Sequence, residues 1–166
     1  MSDLIDTLVE KISAYNIFNF MLPGAVFAGA YELLTKQSIF SRNIIFDVVI
    51  VYFAGMVISR ISSLIIEPLF KLMHILEFAK YEDYVKAEKN DPILITLLQE
   101  SNVYRNMTTV FVVLLLVKIL IPVYRNYQFL HVYLDWGWPI LLVILFTISY
   151  SKQTSYIRKR ASLEDK

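Results

Sequence analysis

Long apolar runs constrain this chain more than any other feature of its sequence. A transmembrane helix needs about 20 mostly apolar residues to cross roughly 30 Å of hydrocarbon. Candidate runs occupy residues 17–34, 44–66, 107–123 and 138–150. The last run, WPILLVILFTISY, is short, so it spans a membrane only if it takes in residues from SKQTSY or FLHVYLDW. We predict an all-α integral membrane protein with four transmembrane helices; the alternative is three spans and one interfacial helix.

Composition agrees with a membrane protein and narrows its chemistry. Hydrophobic residues make up 57% of the 166 residues and charged residues only 19%, which is typical of membrane proteins with long apolar runs. The chain has no cysteine, so disulfides, thiol nucleophiles and thiolate metal sites are excluded. The two histidines, His74 and His131, are far apart in the sequence, which argues against a histidine-rich metal centre. We therefore expect no metal and no other cofactor.

Lysine and arginine are distributed unevenly between the two sides of a four-span arrangement. Eleven of them precede the first span, lie in the middle loop or follow the last span, whereas three lie in the other two loops. The positive-inside rule then places both termini in the cytoplasm. Asp135 is predicted to cap the last helix, with Pro139 in its first turn. Aromatic residues of the third loop are predicted to anchor the outer interface, namely Tyr124, Tyr127, Tyr133, Trp136 and Trp138.

The predicted organisation has five parts in chain order. Residues 1–14 form an amphipathic helix, whose acidic polar face favours packing against protein over binding to anionic lipid. Residues 15–66 form the first transmembrane hairpin, 67–106 a cytoplasmic helical hairpin and 107–151 the second transmembrane hairpin. Residues 152–166 form a basic cytoplasmic tail.

The cytoplasmic hairpin is predicted to begin at a bend, because the residue before a proline disfavours helical angles and Glu67 precedes Pro68. Its first helix is expected to continue through residues 69–89. Asp91 is a good N-cap for the second helix, which is expected to run directly into the third span. The apolar residues of the hairpin either bury one another or bind a partner or a second protomer; they are Leu72, Leu76, Ile93, Leu97 and Leu98.

Polar residues within the predicted spans fall at two depths, and such residues are costly and often functional. Near the outer face, Asp47 and Lys118 are predicted to pair, with Glu32 as a second acceptor. Near the inner face we predict a network of Asn16, Asn19, Arg60, Ser63 and Glu67, in which Ser63 and Glu67 follow Arg60 at helical spacing. The alternatives are that Lys118 and Arg60 extend to their nearer interfaces, or that Arg60 faces the lumen of an oligomeric pore.

Pro23 and several small residues predict that the first span makes close contacts with neighbouring helices. A proline at this position removes the N–H that would bond the carbonyl of Asn19, and lipid offers no replacement donor. We expect a side chain of a neighbouring helix to bond this carbonyl, with Arg60 as the candidate. Small residues let helix backbones approach closely, and the predicted helix-packing face of the first two spans comprises Gly24, Ala25, Gly29 and Gly55. They predict close packing between these helices or between protomers.

The sequence holds no HExxH or GxSxG motif, no P-loop and no Rossmann glycine pattern, so we expect no enzymatic activity and no nucleic-acid partner. Two classes of function are open. In the first, the chain is a homo-oligomeric membrane scaffold or sensor that holds a soluble cytoplasmic protein. In the second, it is a pore or membrane-perturbing effector lined by polar residues of the first two spans.

Two segments, YNIFNFMLPG and AEKNDPILITLLQESNVYRNM, resemble parts of small multi-spanning bacterial membrane proteins of unknown function. Some proteins of that kind belong to anti-phage defence systems, beside a soluble effector. The resemblance implies a bacterial inner membrane and is compatible with a role in defence. It assigns no site residues.

Overall fold

The computed structural model describes residues 17–41, 43–91, 93–126 and 129–164, and most of them are helical. The helices are α1 (Ile17–Thr35), α2 (Ile44–Leu72), α3 (Tyr81–Asn90), α4 (Ile93–Asn126) and α5 (Phe129–Glu164). These described residues include no β-strand. The predicted amphipathic helix over residues 1–14, and Asn16 after it, lie outside the described residues.

Four of the helices are long and apolar enough to cross a membrane, as predicted. They are α1, α2, the Ile93–Val123 part of α4 and the Gly137–Lys159 part of α5. The fourth span reaches this length because its helix continues through SKQTSY. The chain is therefore an all-helical protein with four candidate transmembrane helices.

The start of the fourth helix differs from the prediction. Helix α5 begins at Phe129, so Asp135 lies within it and is not its N-cap. Pro139 is consequently in the helix interior and not in the first turn. The prediction failed because the apolar residues before Asp135 continue the helix, and a proline inside a membrane helix is tolerated where its surroundings compensate for the lost hydrogen bond.

Two π-helical turns interrupt the spans, and each lies directly before a proline. The turn Ile17–Met21 precedes Pro23, and the turn Ser62–Ile66 precedes Pro68. A proline ring clashes with the carbonyl four residues earlier, and in both cases that carbonyl belongs to the π-helical turn. Because the wider turn accommodates the ring, Glu67 keeps helical angles and α2 continues to Leu72, so the expectation that the residue before Pro68 leaves helical angles is wrong.

Helices α1 and α2 pack backbone to backbone through two reciprocal glycines. A β-carbon added at Gly24 would overlap the carbonyl oxygen of Val51, and one added at Gly55 would overlap that of Phe20. Glycine is therefore required at both positions for the observed approach. The predicted close packing is thus found within the chain, at Gly24 and Gly55.

The core of the bundle lies where α1, α2 and α4 meet. Ile58, Val110 and Leu114 are buried there, and Val26, Phe27, Ala30 and Tyr31 of α1 pack against them. Helix α5 lies at the edge, since only 6% of its span is buried compared with 22% for each of the others. It contacts α2, in part through the rings of Phe53 and Phe146, whose centroids are 6.2 Å apart.

The segment between the second and third spans only partly follows the prediction. Helix α2 ends at Leu72, His74 adopts left-handed angles with φ of 57°, and residues 76–80 form no regular structure. The continuous first helix predicted over residues 69–89 is therefore wrong. The start of the second helix is confirmed, because the Asp91 carboxylate accepts a hydrogen bond of 3.0 Å from the N–H of Ile93, and α4 then runs into the third span.

Candidate functional site

A set of polar contacts joins the four spans at one end of the bundle, which we call the polar end. We define it by Asn19 of α1, Ser63 and Glu67 of α2, Asn106 of α4 and Lys152 of α5. The opposite end, where residues 36–43 connect α1 to α2, is the loop end. Every hydrogen bond and ion pair that links two different spans in the described residues lies at the polar end.

The carbonyl that Pro23 frees is bonded by an asparagine. The side-chain amide of Asn106 donates to the Asn19 carbonyl oxygen at 3.1 Å and to the Asn19 side-chain oxygen at 2.8 Å. Asn106 is fully buried and Asn19 is 5% exposed. A neighbouring helix thus supplies the donor, as predicted, but the donor is Asn106 and not Arg60. This bond removes the cost of an unsatisfied carbonyl in an apolar environment.

Asn106 belongs to a buried stripe on α4 that sequence reasoning missed. Asn106, Thr109 and Val110 are all fully buried, and Leu114 is nearly so. The spacing of three, four and eight residues places them on one helix face. The signal was present in the sequence, because RNMTTV puts two small polar residues on the face that the following apolar residues continue.

Glu67 is the centre of the charged contacts at the polar end. Its carboxylate is buried and accepts from the Arg105 guanidinium at 2.6 Å and from the Lys71 ammonium at 2.9 Å. Arg105 lies on α4, so this ion pair ties the second span to the third. Removing one partner of a buried ion pair leaves an uncompensated charge, which makes the arrangement sensitive to substitution.

The fourth span is held to the second by a lysine. The ammonium of Lys152 donates to the carbonyl oxygen of Ser63 at 2.7 Å and to its hydroxyl at 2.9 Å. Ser63 lies inside the π-helical turn before Pro68, where the regular bonding of helix carbonyls is disturbed. Lys152 thus satisfies an acceptor of this turn, much as Asn106 does at the turn before Pro23.

The predicted inner network is therefore only partly assembled by the structure. Ser63 and Glu67 both make contacts between spans, but Arg60 has no hydrogen bond or ion pair with any described residue. The i+7 spacing from Arg60 to Glu67 places two residues on one face only in a regular α-helix. The π-helical turn between them changes this register, so Glu67 bonds Arg105 instead.

The predicted charge pair near the outer face is not brought together. Asp47 accepts from the N–H of Ser41 at 2.7 Å and from its hydroxyl at 3.0 Å, while Glu32 accepts from the hydroxyl of Ser38 at 3.1 Å. Both carboxylates thus fix the connection between α1 and α2 at the loop end. Lys118 is exposed and forms no ion pair with a described residue.

The other predicted sites are exposed to different degrees. Ala25 is exposed, and a β-carbon added at Gly29 would meet nothing within 4 Å, so this part of the small-residue face is open. The apolar residues predicted to bind a partner are also open, with exposures of 75% for Leu72, 65% for Ile93, 54% for Leu97 and 43% for Leu98; Leu76 is half-buried. The alternative in which they bury one another is wrong.

The described residues form an apolar cavity. This cavity of about 510 Å³ lies between α1, α2 and α5, and its lining, which includes Phe27, Ile39, Val57, Trp138 and Leu142, is entirely apolar. It therefore provides no acid, base or nucleophile. No three histidine, aspartate or glutamate side chains among the described residues are placed to hold a metal ion.

The geometry defines a class of protein: a bundle of four candidate transmembrane helices joined at one end by polar side chains. No protein-family model matches the chain, and comparisons with curated proteins and with solved structures find no match either. The function is therefore inferred from the geometry.

Proposed function

We propose that the chain is a multi-pass scaffold of a bacterial inner membrane that holds a soluble protein on the cytoplasmic side of the bilayer. The polar end and both termini face the cytoplasm in this proposal, as the distribution of lysine and arginine favours. The resemblance of the two segments to bacterial membrane proteins supports a role in anti-phage defence beside a soluble effector.

The observation that carries the proposal is the length of α4 beyond the polar end. Asn106 and Val123 are separated by about 26 Å along the helix, close to the thickness of the hydrocarbon layer. From Asn106 back to Ile93 the helix continues for about another 20 Å, at 1.5 Å per residue. A headgroup layer adds only about 5–8 Å on each side. Ile93 and Leu97 are therefore too far from the hydrocarbon to be covered by lipid.

Helices α5 and α3 also extend beyond the polar end and contact each other there. Helix α5 continues for about 18 Å past Lys152. The rings of Tyr81, at the start of α3, and Tyr156 of α5 lie 6.0 Å apart between centroids. Exposed apolar side chains that lipid does not reach are typical of protein-binding surfaces. This surface supports a soluble protein partner.

Site-specific crosslinking tests the scaffold directly. A photo-reactive amino acid at position 97 should crosslink a water-soluble protein in intact cells. The matched control is position 116, because Leu97 and Leu116 have nearly equal exposures of 54% and 52% but Leu116 lies in the Asn106–Val123 stretch that crosses the hydrocarbon in this proposal. The proposal fails if position 97 crosslinks no soluble protein, or if position 116 crosslinks the same one.

Homo-oligomer formation is part of the proposal and rests on a different surface. Ala25 and Gly29 have the spacing that lets two helices approach closely, and the fold leaves Ala25 exposed and the space beside Gly29 open. We do not favour the pore, because Asn19, Asn106 and Thr109 are buried and bonded within the chain instead of facing a lumen. The purified protein in liposomes should give no ion flux, and a flux that is lost on Arg60→Ala would favour the pore.

A further inference from the structure

The polar end carries more positive charge than its own carboxylate can balance. Four cations lie there with Glu67: Lys71, Arg105, Lys152 and Arg60. Both carboxylate oxygens of Glu67 are already engaged, one by Lys71 and one by Arg105. No other carboxylate among the described residues forms an ion pair with these cations, and Lys152 bonds Ser63, which follows Arg60 by three residues on α2. The cluster therefore has an excess of three positive charges.

All four cations have hydrogen-bond donors to spare, but of the four only Lys152 and Arg60 form no ion pair with a described carboxylate. The Lys152 ammonium has three N–H donors, and two of them are used by the carbonyl and hydroxyl of Ser63. Arg60 has five N–H donors and bonds no described residue. Both side chains are half-buried, so they are partly desolvated and still reachable. Cations that are withdrawn from water without a counter-ion are unfavourable, which indicates that an anion completes the cluster.

We propose that Arg60 and Lys152 bind the phosphate group of a ligand at the polar end. A phosphate has several oxygens and can accept from an ammonium and a guanidinium together, and arginine suits this geometry well. Lys152 lies at the edge of the hydrocarbon layer, about 22 Å along α5 from Gly137. Lipid phosphates lie at this depth, and basic pockets between membrane helices are known to take lipid headgroups. Free phosphate is the other source of the same chemistry.

The site is independent of the proposed soluble partner, because it uses the bundle and not the extension of α4 beyond it. It also differs from a single interfacial lysine, because its two cations come from different spans, Arg60 from α2 and Lys152 from α5.

Native mass spectrometry of the full-length protein in neutral detergent tests the proposal. Three probes are added separately: phosphatidylglycerol, a glucosyl diacylglycerol with the same acyl chains and no phosphate, and inorganic phosphate. Phosphatidylglycerol should bind and the glycolipid should not. If inorganic phosphate displaces phosphatidylglycerol, the site takes free phosphate as well; if it does not, the site requires the lipid. Equal binding of the two lipids would overturn the proposal.

Substitutions locate the site. Arg60→Gln should weaken phosphatidylglycerol binding by about ten-fold, the loss expected for one charge-assisted hydrogen-bond partner. Arg60→Gln together with Lys152→Gln should abolish binding. The matched control is Lys118→Gln, which removes an exposed cation elsewhere on the spans. Arg60 bonds no described residue and has no counter-ion there, so without ligand its variant should unfold at the wild-type temperature or above it. Wild-type affinity in Arg60→Gln, or an equal loss in Lys118→Gln, would overturn the proposal.

Discussion

The bond between α4 and α1 offers the sharpest test of how this bundle is stabilised. Asn106→Ala removes the amide that donates to the Asn19 carbonyl at 3.1 Å and to the Asn19 side chain at 2.8 Å. A hydrogen bond between membrane helices contributes about 0.6 kcal/mol on average, so the two bonds contribute about 1.2 kcal/mol. The Asn19 carbonyl, which has no helical donor because of Pro23, then loses the Asn106 donor as well. Leaving this carbonyl buried and unbonded adds about 1 kcal/mol or more. We expect a loss of about 2 kcal/mol in the free energy of unfolding.

The same reasoning predicts that the two positions are coupled. Pro23→Ala restores an N–H that can bond the Asn19 carbonyl when the π-helical turn relaxes to an α-helix. In that background Asn106→Ala should cost about 1 kcal/mol less than in the wild type. The measurement is unfolding in mixed micelles with increasing denaturing detergent, carried out on the wild type, both single variants and the double variant.

Thr108→Ala serves as the control. Thr108 is exposed and its hydroxyl bonds only the Tyr104 carbonyl of the same helix, so its removal should change the free energy of unfolding by less than about 0.5 kcal/mol. The reasoning is refuted if Asn106→Ala is no more destabilising than this control, or if the effects of Asn106→Ala and Pro23→Ala simply add.

Of three further predictions, two use matched pairs of positions. Gly55→Ala should destabilise by about 1–3 kcal/mol in thermal unfolding because its β-carbon meets the α1 backbone, whereas Gly29→Ala should unfold like the wild type. Gly29→Leu should weaken assembly on native gels without changing the bundle, and unchanged assembly would contradict oligomer formation through this face. Glu67→Gln should cost about 1–3 kcal/mol because two cations lose their carboxylate, one of them Lys71, whose side chain is 44% exposed. The exposed Glu100 gives the control Glu100→Gln, which should change little.

The parts of the fold that the sequence predicted are those set by local chemistry. Run length alone indicated four spans, since hydrocarbon thickness fixes the number of residues a helix needs. Asp91 was recognisable as a cap because its side chain bonds an N–H only two residues away. The need for a donor at the Asn19 carbonyl also followed from one residue, Pro23.

The partners of the polar residues could not be predicted, because they depend on how each helix is rotated about its axis. Helix α4 is apolar on most of its surface within the span, so only the short stretch RNMTTV marks the face that meets α1. The π-helical turn before Pro68 adds a change of register that α-helical spacing ignores. The predicted ion pair between Asp47 and Lys118 rested only on their similar depth in the membrane. Residues at equal depth can lie on opposite sides of a bundle.

The orientation of the polar end is tested most directly by labelling of single cysteines. The chain has no cysteine of its own, so Ser38→Cys at the loop end and Ser101→Cys beyond the polar end each introduce one exposed thiol. In intact spheroplasts, a membrane-impermeant maleimide should label position 38 and leave position 101 unlabelled until the membrane is permeabilised. Labelling of position 101 from outside would contradict a cytoplasmic polar end and, with it, the scaffold for a soluble cytoplasmic partner.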